Sequence, residues 1–187
     1  MLNNPIVKEI MSWVKVIAFA VFFAWIITTF ILVNATVPTG SMETTIMIND
    51  RLIANRLAYA FHGPEQGDIV VFRFPDDRSK LYIKRVIGLP GDKIDIRGGL
   101  VYINNADKPL DESAYLAEAP DPYNGSFTVP DNAYFMMGDN RNNSNDSRFW
   151  INKYVPRSDI LGKAIFKYFP GFKLLNRLPY TTTSKNN

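Results

Sequence analysis

An uncharged apolar stretch near the start of the chain constrains its fold more than any other feature. It runs from Val16 to Val33, 18 residues without Asp, Glu, Lys or Arg. A helix that spans the ~30 Å hydrocarbon layer of a bilayer needs roughly 20 mostly apolar residues, and the uncharged residues 34–37 can complete it. The sequence therefore predicts a transmembrane helix, which we place at residues 13–34, after a short cytoplasmic segment at residues 1–12.

The charges beside this stretch predict its orientation. Lys8 and Lys15 precede it, and the next charged residue is Glu43. Because positive residues tend to stay in the cytoplasm, we expect a single-pass protein with its N-terminus inside and most of the chain outside. A cleaved secretory signal is the alternative, since Val33-Asn34-Ala35 resembles a small-residue cleavage site. We favour a retained anchor, because the stretch exceeds the usual apolar segment of a signal peptide, roughly 7–15 residues.

The chain beyond the anchor has the sequence pattern of β-strands. Short apolar runs bounded by Gly, Pro and Asp, such as Ile69–Phe74 and Leu81–Gly88, predict strands. Gly98-Gly99 lies between two further runs and predicts a hairpin. Residues 50–61 fit a short helix or a strand equally well. The fold class is therefore mostly β, with one N-terminal transmembrane helix followed by an antiparallel β-sheet domain.

We place the boundaries of this β domain at residues 35 and 180. Within it, the stretch at about residues 104–132 contains several prolines and little periodicity, so we predict an irregular insertion there. Residues 181–187 are polar, and we predict a disordered tail.

Composition argues against several classes of function. The net charge is only +3 and no long Lys/Arg run is present, so we expect no nucleic-acid partner. Cysteine is absent, which excludes disulfides and thiolate chemistry. His62 is the one histidine, so a zinc site would depend almost entirely on carboxylates. We therefore predict neither a metal nor another cofactor.

Ser41 and Lys84 are the main candidates for chemistry. Ser41 lies in a short polar segment eight residues after Val33, and a serine nucleophile needs a neighbouring base. His62 lies in a turn and is better explained as a solvated loop residue. Lys84 shares a strand face with Tyr82, and burial on an apolar face lowers the pKa of a lysine towards neutrality. A turn serine and a lysine that extends to water remain the alternatives at this point.

A dense polar loop, Gly138–Trp150, follows the apolar run 133–137. It contains two acids, two arginines, four asparagines and two serines. Because Phe149-Trp150 is expected to return to the core, we predict that the loop folds over the site rather than forming a solvated turn. We expect charge-assisted hydrogen bonds to hold it rigid, formed by Asp139, Asp146, Arg85 and Arg148.

Four segments occur in a fixed order along the chain: Pro38–Met42, Gly67–Phe72, Tyr82–Asp92 and Gly138–Arg148. They resemble the signature segments of the bacterial type I signal peptidases, also called leader peptidases. The resemblance implies a membrane-anchored serine endopeptidase with the β fold of that family, on the outer face of the bacterial cytoplasmic membrane. Its partners would be the lipid bilayer and the signal peptides of exported preproteins, which it would cleave through a Ser/Lys dyad and an acyl-enzyme, without a cofactor or metal.

The resemblance also implies roles at the matching positions. Ser41 would be the nucleophile and Lys84 its general base. The Thr39 hydroxyl and the backbone N–H of Ser41 would form the oxyanion hole, and Ser144 would orient the lysine amine. Substrate would bind extended, by strand addition, against edges that contain Met42, Tyr82 and Ile83. The residues that match the family's bracing positions are Arg85, Asp139, Asp146 and Arg148.

Two alternatives remain at this stage. A self-cleaving Ser/Lys protease of the repressor type is similar around the dyad, but such proteins have a DNA-binding module where this chain has an apolar span. A membrane-anchored β domain could instead serve as an adaptor without enzymatic activity. In that case neither Ser41 nor Lys84 would be needed for any reaction.

Overall fold

The structure is a computed structural model and describes residues 5–175, so the tail predicted at residues 181–187 lies outside the described residues. Helix α1, Pro5–Ile26, continues as a π-helical segment, Ile27–Ile31. Together they form a 27-residue apolar span long enough to cross a membrane. No side chain of α1 is buried against the rest of the protein.

The helix ends earlier than the sequence predicts. Residues 32–34, assigned to the transmembrane helix, belong to strand β1, Leu32–Thr36, which pairs antiparallel with β2, Arg51–Asn55. Strand pairing satisfies the backbone groups of this segment, and Val33 is buried in the core. Of these three residues, Val33 contributes its apolar side chain to the core of the β domain, whereas Asn34 is exposed.

Nine further strands complete the domain: β3 (Ile69–Phe74), β4 (Asp77–Gly88), β5 (Lys93–Arg97), β6 (Leu100–Ile103), β7 (Gly125–Thr128), β8 (Ala133–Met137), β9 (Val155–Pro156), β10 (Ile160–Phe169) and β11 (Lys173–Leu174). The larger sheet has the order β1-β2-β10-β3-β4-β8-β9, with β11 paired to β10, and the smaller has the order β6-β5-β7. Every strand pairing among the described residues is antiparallel. The predicted fold class, mostly antiparallel β after one apolar helix, is confirmed.

The predictions of strand β3 and of the Gly98-Gly99 hairpin are confirmed, and the predicted irregular insertion is partly wrong. Strand β3 has the predicted bounds, and the Gly98-Gly99 turn connects β5 to β6 with positive φ at both glycines, as a two-residue hairpin requires. Residues 50–61 contain both β2 and a 3-10 turn at Leu57–Tyr59. The predicted irregular insertion is wrong at Gly125–Thr128, because β7 pairs with β5 there and buries Phe127.

Strand β4 separates two apolar clusters of the core. Ile83 packs against the cluster that includes Met42, whereas Tyr82 and Val86 pack in the cluster that includes Trp150. This alternation follows from the pleat, which directs successive side chains to opposite faces. Lys84, the residue after Ile83, thus lies where this core borders an open cleft.

Candidate active site

A cleft of about 430 Å³ opens beside the middle of β4. One wall is the chain from β1 through residue 42, and another is the first half of β4. The residues that line it are Ala35, Thr36, Val37, Pro38, Thr39, Gly40, Ser41, Met42, Val71, Leu81, Tyr82, Ile83, Lys84, Asn143 and Asn145. Six of the predicted site residues therefore line one cleft: Thr39, Ser41, Met42, Tyr82, Ile83 and Lys84.

The two central residues of the cleft are in direct contact. Lys84 Nζ donates a hydrogen bond to Ser41 Oγ, and both residues are buried. Lys84 is fixed in the strand ladder opposite Val70 of β3. Ser41 lies in a tight turn, closed by the Glu43 N–H donating to the Gly40 carbonyl over 3.1 Å. A rigid strand and a closed turn thus hold the amine and the hydroxyl together.

Burial changes the proton affinity of the lysine. Loss of solvation lowers the pKa of Lys84 from 10.5 to about 8, while the nearby carboxylates of Asp146 and Asp139 oppose that change. The amine lies 5.8 Å from the centroid of the Tyr82 ring, as expected for residues on one strand face. An amine with this pKa is partly neutral near pH 7 and can accept a proton.

Arg85, the residue after the lysine, forms a fully buried ion pair. Its guanidinium donates two hydrogen bonds to Asp139, from Nε over 2.8 Å and from an Nη over 2.6 Å, and a third to the Gly67 carbonyl over 2.8 Å. Thr45 Oγ1 donates to the same Asp139 carboxylate over 2.5 Å. Asp139 therefore ties β4, the polar loop and the segment after Ser41 to one another.

Asp146 organises the second half of the polar loop. Arg148 donates to both of its oxygens, over 2.8 and 2.9 Å, and the Gly138 N–H donates over 3.0 Å. The Ser144 hydroxyl donates to Asp146 over 2.7 Å. That contact leaves the oxygen lone pairs of Ser144 available as acceptors, whereas its predicted bond to the Lys84 amine stays a prediction.

The loop also needs a glycine where it passes Ser41. A Cβ built at Gly138 would collide with the Ser41 carbonyl oxygen and with Ser144 Oγ. The next residues then hold the Ser41 turn, because the Asn140 N–H donates to the Ser41 carbonyl over 3.1 Å. The close approach of the two segments explains why glycine precedes Asp139.

The sequence analysis missed a buried cluster from the insertion. Arg141 donates two hydrogen bonds to Glu112, and Tyr115 donates its hydroxyl to the same carboxylate over 2.5 Å. The Arg85 guanidinium lies 4.2 Å from the centroid of the Tyr115 ring. No periodic pattern marks Glu112, which lies in an irregular segment 29 residues before its partner. The insertion thus packs under the bracing ion pair of the site.

The structure also shows where Phe149-Trp150 and His62 lie relative to the core and the cleft. Trp150 returns to the core as predicted, but Phe149 does not, since 54% of it is exposed. His62 is exposed and does not line the cleft. Among the residues from 5 to 175 there is no group of three or more potential metal-binding side chains.

A serine hydroxyl bonded to a buried lysine amine on a β-sheet scaffold is the arrangement of a serine hydrolase with a lysine base. Comparison with known proteins agrees with that class. A family model described as signal peptidase, peptidase S26, matches residues 10–169. The chain therefore belongs to the signal peptidase family S26.

Individual relatives support the same family. The chain is 44% identical over 162 residues to the probable signal peptidase I-2 of Synechocystis sp., covering 83% of this chain and 72% of that protein. It is 41% identical over 179 residues to signal peptidase I of Leptolyngbya laminosa, covering 91% and 83%. A crystal structure of a signal peptidase I from Enterococcus faecalis matches with 32% identity and a TM-score of 0.44, over 54% of this chain and 95% of that one.

The Glu112–Arg141 pair predicts a stability effect. Glu112→Gln should lower the free energy of unfolding by about 3–5 kcal/mol, because it leaves the buried Arg141 without its counter-charge. Chemical denaturation in detergent measures the change. The matched control is Glu118→Gln, which alters an exposed acid of the same insertion and should change stability by less than about 0.5 kcal/mol. Equal stability of the two variants would contradict the assigned role of the pair.

Proposed function

We propose that this chain is a membrane-anchored serine endopeptidase that removes signal peptides from exported preproteins, with Ser41 as nucleophile and Lys84 as general base. The observation that supports it most is the hydrogen bond between the buried Lys84 amine and the Ser41 hydroxyl inside an open cleft. The relatives named above are signal peptidases. Neither the adaptor nor the repressor-type alternative is favoured by these comparisons.

The reaction uses the amine twice. Neutral Lys84 takes the proton of the Ser41 hydroxyl as Oγ attacks the carbonyl carbon of the scissile bond. The Ser41 N–H and the Thr39 hydroxyl stabilise the oxyanion that forms. When the tetrahedral intermediate collapses, the C–N bond breaks and the ammonium returns its proton to the leaving amine. Water then attacks the carbonyl carbon of the acyl-enzyme and loses its proton to Lys84. The ester C–O bond to Ser41 Oγ breaks, the ammonium returns its proton to that oxygen, and the acyl group leaves as a carboxylic acid.

The substrate binds as an added strand along β4. Strand β8 pairs with β4 only at Arg85, Val86 and Gly88, so the described strands leave residues 81–84 open on that side of β4. An extended peptide can hydrogen-bond to this edge and present its carbonyl to Ser41. Met42, Tyr82 and Ile83 form the walls against which small side chains before the scissile bond fit.

The anchor places the reaction near the bilayer. Ser41 follows the last residue of the apolar span, Ile31, by only ten positions, and an extended chain covers at most ~3.6 Å per residue. Ser41 therefore lies within about 36 Å of the end of the span. Lys8 and Lys15 favour a cytoplasmic N-terminus, which puts the cleft on the extracytoplasmic face of the bacterial cytoplasmic membrane, where a signal peptide held in lipid presents its cleavage region.

Loss of either dyad residue tests this function. Ser41→Ala and Lys84→Ala should each lower cleavage of a purified preprotein in detergent by at least about 10³-fold, because the nucleophile and its base act as one unit. His62→Ala is the matched control and should leave the rate nearly unchanged, since His62 is outside the cleft. Full activity of either dyad variant would refute the proposed function and favour the adaptor.

The pKa of Lys84 predicts the pH dependence. Because only the neutral amine accepts a proton, kcat/KM should rise with pH and level off above a midpoint near 8. At pH 7 about a tenth of the enzyme then has a neutral lysine. Lys84→Arg should be inactive over the whole range, since a guanidinium stays protonated. A flat profile, or one that falls between pH 7 and 9, would exclude Lys84 as the base.

The oxyanion role of Thr39 gives a further prediction. Thr39→Val keeps the shape of the side chain and removes the donor, so kcat should fall by about 10²–10³-fold. Thr39→Ser retains the hydroxyl and should retain most of kcat. Initial-rate kinetics on a signal-peptide substrate measure both variants. If Thr39→Val has the wild-type kcat, the Thr39 hydroxyl does not stabilise the transition state.

A further inference from the structure

Asn140 holds the turn that contains Ser41 at two consecutive carbonyl groups. Its side-chain Nδ2 donates to the Gly40 carbonyl over 3.0 Å, and its backbone N–H donates to the Ser41 carbonyl over 3.1 Å. These contacts connect positions that lie 100 residues apart in the chain. The polar loop is thus fastened to the backbone on both sides of the nucleophile.

The first of these contacts acts on the peptide unit that joins Gly40 to Ser41. That unit is planar and trans, so the Gly40 C=O and the Ser41 N–H point in opposite directions. Fixing the direction of the carbonyl therefore fixes the direction of the N–H. Within residues 5–175 the Ser41 N–H donates no hydrogen bond to the protein, so no partner of its own determines where it points.

The local turn by itself fixes the orientation of this peptide unit less firmly than Asn140 does. The Glu43 N–H also donates to the Gly40 carbonyl, over 3.1 Å, but it belongs to the same short turn and moves with it. Asn140 belongs to a loop held elsewhere by buried ion pairs, since Asp139 before it is bonded to Arg85. The Asn140 amide therefore connects the Gly40–Ser41 peptide unit to a rigid part of the protein, and this contact fixes the orientation of the peptide.

We infer that Asn140 is a positioning residue of the oxyanion hole. Its side-chain amide donates to the Gly40 carbonyl and thereby orients the Ser41 N–H towards the developing oxyanion. The inference rests on the proposed function, because it requires Ser41 to be the nucleophile. Asn140 touches neither the substrate nor the reacting atoms. Its effect is on the transition state, where the N–H is needed, rather than on the affinity for substrate.

The test compares two substitutions at Asn140. Asn140→Ala removes the donor, and Asn140→Asp keeps the shape but places an acceptor opposite the Gly40 carbonyl. Both should lower kcat by about 10–100-fold, less than or comparable to the loss of an oxyanion donor, with KM within about twofold of the wild type. In Asn140→Ala the pH midpoint near 8 should stay the same, because the substitution changes no charge and Asn140 is not among the groups that shift the pKa of Lys84.

The control is Asn142→Ala in the same loop. Asn142 makes comparable side-chain hydrogen bonds, but to Glu118 and the backbone of residues 119 and 121, away from Ser41. Its replacement removes as many contacts from the loop without touching the Gly40 carbonyl. This variant should keep kcat within about twofold of the wild type.

A second measurement separates positioning from a general loss of structure. The Ser41 hydroxyl adds to the carbon of a peptide aldehyde, and the resulting tetrahedral oxygen occupies the oxyanion position; the corresponding peptide alcohol cannot form this adduct. Asn140→Ala should weaken binding of the aldehyde by about 10-fold or more relative to the alcohol. The ratio is independent of any fraction of unfolded protein, so it remains decisive even if the variant is less stable.

An unchanged kcat and an unchanged aldehyde-to-alcohol ratio in both Asn140 variants would overturn the inference. So would equal losses for aldehyde and alcohol together with a shifted pH midpoint, because that pattern indicates a disrupted site. Neither result would affect the proposed function, which is tested by the activity of Ser41→Ala and Lys84→Ala and by the pH profile of the wild type. The two claims can therefore be rejected separately.

Discussion

The removal of the Lys84 amine from water is the interaction on which the rest of the site depends. A pKa near 8 instead of 10.5 corresponds to about 3 kcal/mol of lost preference for the charged form. Strand β4 fixes the backbone of Lys84 in its ladder, and the Ser41 hydroxyl gives the buried amine a hydrogen-bond partner. The same burial makes the neutral amine available to accept a proton, while it costs free energy whenever the amine is charged.

The surrounding ion pairs limit the net charge that acts on the Lys84 amine. Asp146 and Asp139 both raise the proton affinity of Lys84, and unpaired carboxylates at these positions would keep it charged. Each of them is instead engaged by an arginine, Arg148 or Arg85, and the charge of Arg148 lowers the lysine pKa again. The arginines thus rigidify the loop and also balance the negative charge beside the base. This second effect is electrostatic and would not be evident from packing alone.

The sequence was sufficient to predict which residues meet in the cleft, but not the residues that pack beneath them. Ser41, Lys84 and the polar loop lie in compact segments with unusual composition, so their proximity could be expected from the resemblance. Glu112 and Tyr115 come from an irregular stretch, and their contacts with Arg141 and Arg85 depend on long-range folding. The helix end was misplaced for a related reason, since Leu32 and Val33 suit a strand that pairs with β2 as well as a membrane helix, and only the long-range pairing decides between them.

That corrected boundary changes how the anchor relates to the cleft. Strand β1 begins directly after the apolar helix and is paired with β2 along all five of its residues. The chain then continues from β1 through Val37 and Thr39 to Ser41, and this whole segment forms one wall of the cleft. No free linker separates the membrane span from that wall. The β1–β2 ladder therefore fixes the position of Ser41 relative to the end of the apolar span, and lengthening the chain before β1 would alter that separation without altering the contact between Ser41 and Lys84.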